Sequence, residues 1–125
     1  AVILAAHGVM KKTPISSGWQ QADGCEAMNR LLKMRPVPTA IFAASDLLAL
    51  GAYDAADEAG VRIPEDISVM GFDDIDMAAQ AKPRLSTVLV RKMEIGQLAA
   101  QLILEQLGGD LWTNRPWIVP LQKAI

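Results

Sequence analysis

The chain has 125 residues, 51% of them hydrophobic, with 14 acidic against 12 basic side chains. That is room for at most one domain, with enough apolar side chains for a packed core, which excludes a disordered chain. A net charge of −2 without a Lys/Arg-rich helix argues against nucleic-acid binding by these residues, and no apolar run is long enough to span a bilayer.

Residues 1–6 are short and apolar, an odd beginning of the kind expected of a fragment whose true N-terminus lies elsewhere, and no signal peptide is visible. Alone they read as a strand or the last turns of a helix. His7, the single histidine, has no Cys, Asp or Glu at metal-ligand spacing, so a water-facing position is expected. Residues 10–14 read as a polar loop and 15–19 as a short strand. Residues 20–34 form a helix by pattern: Cys25, Met28, Leu31, Leu32 and Met34 recur at three- and four-residue spacing. Cys25 is the only cysteine, a small hydrophobe on that helix; it makes no intrachain disulfide, and a reducing cytoplasmic setting fits it. Pro36 and Pro38 forbid continuation.

Residues 37–44 (VPTAIFAA) are an apolar run of the kind found in strands buried on both faces. Ser45 offers a hydroxyl as helix N-cap and Asp46 puts a negative charge in the first turn, where the dipole favours it. The helix runs over 46–59 and Gly60 stops it. A second apolar run, 67–72, ends in Asp73-Asp74. Strand, helix, strand implies a right-handed parallel crossover, hence an α/β fold with a mostly parallel sheet in three layers. Residues 75–83 are a loop or short helical turn, 85–90 a third strand, 92–107 an amphipathic helix, and the tail ends in a strand at 118–121. The 46–59 helix is apolar on much of its surface. The excess fits a homodimer interface through Leu47, Leu50 and Asp54, or burial within a larger domain.

In parallel sheets ligands bind beyond the carboxyl ends of the strands. Ser45-Asp46 and Asp73-Asp74 sit there. Capping alone explains both Ser45 and Asp46. Asp73, Asp74 and Asp76 could hold Mg²⁺ for phosphoryl transfer, but no nucleophile or Lys is well placed beside them. Hydroxyl recognition suits Asp73 better, because one carboxylate accepts from two adjacent hydroxyls. Solvated turns suit Asp74 and Asp76. Trp19 stands at the end of a candidate strand, as a stacking surface or a core residue. There is no Gly-rich phosphate loop, Gly-x-Ser-x-Gly elbow or Cys-x-x-Cys pair, so no enzyme activity is expected.

The segment PTAIFAASDLLALGAYDAADEAGVRIPEDISVMGFDDID, with PRLSTV downstream, resembles the effector-binding domain of LacI-family transcriptional regulators. The resemblance runs from about residue 17 to 109. It implies a periplasmic-binding-protein-like fold, of which residues 1–125 would be the C-terminal part, without the helix-turn-helix. It implies a small-molecule effector, a sugar or nucleoside-like compound, bound by Trp19, Ser45 and Asp73, with no cofactor, metal or membrane. Operator DNA would be reached only through the absent domain, in the cytoplasm. It favours a helix end for residues 1–6, with Gly8 as C-cap, and assigns the 92–107 helix to the N-terminal subdomain. The sequence departs from the family pattern twice. Ser45 replaces the usual Asn. Val90, preceded by Leu89, stands where sugar-binding members often place a Gln, which removes one polar contact. The runner-up is a fragment of a periplasmic or ABC-type sugar-binding protein.

Overall fold

A computed structural model describes residues 3–7, 9–12, 18–108 and 122–124. The elements are β1 (Ile3–His7), β2 (Val9–Lys12), α1 (Gln21–Leu32), β3 (Ala40–Ala43), α2 (Asp46–Glu58), β4 (Ser68–Met70), α3 (Asp76–Gln80), β5 (Thr87–Leu89), α4 (Lys92–Leu107) and β6 (Gln122–Ala124).

The centre is the parallel pair β3–β4 with α2 as its crossover. Ser45 caps α2: its backbone is extended and its hydroxyl accepts from the Leu48 N–H at 3.3 Å. Gly60, at φ 67°, ends the last turn in the left-handed region that a Cβ would oppose. Past Met70 the chain continues beside the β5 segment, through parallel bridges Met70–Ser86 and Asp73–Leu89. Ile41, Ala43 and Val69 join α1 and α2 in one core with Met28, Leu31 and Leu48. Burial in β3 alternates. Ile41 and Ala43 are buried, whereas Ala40 and Phe42 are half-buried, so the expectation of burial on both faces is met on one. On the second face Phe42 meets Phe72 edge-on, centroids 6.5 Å apart.

The apolar excess of α2 is largely covered inside the chain. A Cβ on Gly24 would lie 2.1 Å from the Leu48 carbonyl oxygen, and one on Gly51 would lie 1.9 Å from that of Gln21. Two glycines thus let the α1 and α2 backbones touch. Leu50 is 7% exposed.

The first residues depart from expectation. Residues 3–7 are not a helix end but β1, paired antiparallel with both β3 and β2. Residues 10–12, expected as loop, belong to β2. The sheet order is therefore β2-β1-β3-β4, with parallel pairing confined to the β3 side. The apolar run has no helical period, and β3 supplies an edge for it. Gly18 and Trp19 form a loop rather than a strand end. The Gly8 cap, residues 13–17, the His7 side chain and the 118–121 strand fall outside the described residues.

Candidate functional site

The register of β3 on β4 pairs Phe42 with Met70, so Ser45 and Asp73, each three residues further on, reach the same level of the carboxyl edge. The Asp46 N–H donates to the Phe72 carbonyl at 2.8 Å and binds the two strand ends together.

Asp46 is fully buried. Its Oδ1 accepts from the Thr87 hydroxyl at 2.5 Å and its Oδ2 from the Ile75 N–H at 2.9 Å. A buried carboxylate is tolerated only when its oxygens are so occupied. The Asp74 N–H points to Thr87 Oγ1 at 3.4 Å. The strand end makes room for this group: a Cβ on Gly71 would lie 2.2 Å from Asp46 Oδ1.

Between these contacts lies an unusual turn. Asp73 has φ 122° and Asp74 φ 54°. Each such residue costs roughly 1–3 kcal/mol and persists only where surrounding contacts hold it. The Asp73 N–H is paired with the Val88 carbonyl at 3.0 Å. Its half-buried carboxylate has no hydrogen-bond partner among the described residues. Asp73, Asp74 and Asp76 do not form a group able to hold a metal ion. Leu89 lies beside Asp73 in the bridge, followed by half-buried Val90, so this flank of the edge is apolar.

Ser45 is buried and engaged as a cap, which leaves its hydroxyl proton for a further acceptor. Trp19, on the loop before α1, is 59% exposed. No hydrogen bond or ring contact joins it to Ser45 or Asp73 among the described residues. The structure therefore brings Ser45 and Asp73 to one edge and leaves Trp19 on a separate loop. Sequence reasoning missed Thr87, which reads as an ordinary strand residue, and took Asp46 only for a dipole partner. The available signal was an apolar strand, residues 85–90, interrupted by the hydroxyls of Ser86 and Thr87, and only burial distinguishes Thr87 from exposed Ser86.

A groove of about 700 Å³ opens elsewhere, along the outer side of α2. Leu50, Tyr53, Asp54, Arg62, Met77 and Gln80 line it, and Trp19, Ser45 and Asp73 do not. Leu47 is half-buried, and Asp54 accepts from Gln21 Nε2 at 2.6 Å. Burial raises the Tyr53 hydroxyl above its ordinary value. The hydrogen-bonded Arg62 guanidinium beside Asp66 lowers that carboxyl to about 2, and Asp66 raises Arg62 in turn. Both partners are exposed, so the pair says little about stability.

Residues 3–121 match the family described as periplasmic binding protein-like domain. The HTH-type transcriptional repressor PurR of Haemophilus influenzae (strain PittEE) is 40% identical over 93 residues, 74% of this chain and 28% of the repressor. This chain thus spans under a third of that relative's length. Among solved structures, a LacI family transcriptional regulator from Enterococcus faecium with bound ribose is 32% identical, with a TM-score of 0.73 over 89% of this chain and 40% of that one. The lac repressor dimer bound to operator and the anti-inducer ONPF is 29% identical, with a TM-score of 0.81 over 91% and 41%. No helix among the described residues is long and apolar enough to cross a membrane. With an α/β core of the same fold and a carboxyl edge built from the Ser-Asp and Gly-Phe-Asp-Asp segments, the chain belongs to the LacI family of transcriptional regulators, as part of their periplasmic-binding-protein-like effector-binding domain.

Proposed function

We propose that this chain supplies the C-terminal wall of the cleft in which a LacI-family regulator binds a small polar effector, a sugar or a nucleoside-like compound. Asp73 accepts hydrogen bonds from adjacent effector hydroxyls, Ser45 donates its remaining proton, and Trp19 covers an apolar ring face. One observation carries the reading: the Asp73 carboxylate, on a strained turn at the strand edge, has no described partner within the chain. The apolar Leu89–Val90 flank favours an effector with one less polar face than a simple hexose. The ribose bound to the Enterococcus faecium relative fits the polyol class.

In the whole protein, effector binding alters DNA affinity through the N-terminal domain, in the cytoplasm and without an enzymatic step or cofactor. The regulator acts as a homodimer through the side of α2 that carries half-buried Leu47 and exposed Asp54, with Leu50, buried within the chain, behind them; Leu50 and Asp54 line the groove there.

Calorimetric titration of the full-length regulator with a panel of sugars and nucleosides tests the effector. One of them binds, and Asp73→Ala weakens it by roughly 10- to 100-fold, the worth of a hydrogen bond to a charged group. Equal binding by wild type and Asp73→Ala would overturn the assignment.

A further inference from the structure

We infer that Asp46 is a positioning residue of the effector site: together with Thr87 it clamps the Asp73–Asp74 turn in the shape that presents the Asp73 carboxylate. The inference rests on the reading of Asp73 as the effector contact.

Helix capping accounts for Ser45 but not for Asp46. A carboxylate that serves only the helix dipole belongs at the surface of the first turn. Asp46 is fully buried, and both of its acceptor contacts lie outside α2. One partner is the Ile75 N–H, 29 residues away, and the other is the Thr87 hydroxyl, 41 residues away. The turn with two positive φ values leaves the N–H groups of Asp74 and Ile75 without strand partners. Thr87 Oγ1 faces the first and Asp46 Oδ2 takes the second, while the Thr87 proton returns to Asp46 Oδ1. The loop, β5 and the start of α2 thus close on one carboxylate. Gly71 keeps the space that this carboxylate fills. The Asp73 side chain takes no part in the clamp and has no hydrogen-bond partner among the described residues.

The chemistry predicts which changes break it. Asparagine at position 46 has one acceptor oxygen in place of two, so either the Ile75 N–H or the Thr87 proton loses its acceptor. Valine at position 87 keeps the shape of threonine and removes the hydroxyl. Serine keeps the hydroxyl.

Amide hydrogen exchange on the chain, and titration of the full-length regulator, which carries both walls of the cleft, with ribose, sucrose and adenosine, test the inference. In Asp46→Asn and in Thr87→Val, the Asp74 and Ile75 amides exchange about tenfold faster or more, and α1 and α2 keep their protection. Whichever probe binds wild type binds these variants roughly tenfold more weakly, and Thr87→Ser restores both readings. Ile67→Val, in the core at the opposite end of β4, lowers the melting midpoint and changes neither reading. The inference is overturned if Asp74 and Ile75 exchange at the wild-type rate in both variants, or speed up only in step with α1 and α2. Binding that is lost in Asp73→Ala yet unchanged in both clamp variants would also overturn it. If none of the probes binds wild type, the effector reading loses its support, and the exchange rates still decide whether Asp46 holds the turn.

Discussion

The helices α2 and α4 are alike in sequence and opposite in fate. Both carry Leu, Ala and a mid-helix Gly. Yet α2 buries eight of its 13 residues, and α4, with 16, buries none. In α2 the first buried surface is the β3–β4 face and the second is α1, brought to backbone contact by Gly24 and Gly51. In α4, Met93, Ile103, Leu104 and Leu107 are largely exposed. Hydrophobicity along a helix therefore tells how much surface calls for cover, not whether this stretch of chain provides it.

Leucine truncation should separate the two helices most. Leu48 is fully buried, so Leu48→Ala removes a packed side chain and leaves a cavity, at a cost of about 3 kcal/mol. Leu104 is 68% exposed, and Leu104→Ala should stay within about 0.5 kcal/mol of wild type. Urea denaturation of both variants measures the gap. Similar midpoints would mean that α4 is packed as tightly as α2.

Gly51→Ala comes next. Alanine is ordinarily worth about 1 kcal/mol more than glycine inside a helix. Here its Cβ would meet the backbone oxygen of Gln21, which moves only if α1 moves. Overpacking of that kind costs roughly 1–3 kcal/mol and outweighs the propensity gain. The melting midpoint should fall; a rise would show that α1 does not lie against α2 at this point.

The same contrast between local and distant partners governs what could be read from the sequence. The β3–α2–β4 unit was legible because its signals are adjacent: an apolar run, Ser45, a helical stretch, Gly60, a second run. Ser45 and Asp73 were legible as edge residues because strand ends follow from strand positions. The β1–β2 pair was not, since residues 3–7 acquire strand character from β3, more than 30 residues away. Thr87 was hidden for a related reason. Threonine is at home in any strand, and its partner Asp46 lies 41 positions earlier. Asp46 carried a sufficient local explanation, the helix dipole, that concealed its distant contacts.

Gly96→Ala applies the substitution of Gly51 to α4 and should reverse its sign. A Cβ at Gly96 meets nothing within 4 Å, and the residue sits in the first half of a 16-residue helix. Only the backbone term remains, and alanine gains roughly 0.5–1 kcal/mol from the smaller entropy it loses on folding. For a domain of about this size that is a rise of a few degrees in Tm. The effect is small beside that of Leu48→Ala, but its sign is diagnostic. A rise places Gly96 on an open face, so α4 contributes little to the stability of this chain. A fall would mean that a surface lies against α4 at that position, and the contrast with α2 would then reflect what covers each helix rather than whether it is covered.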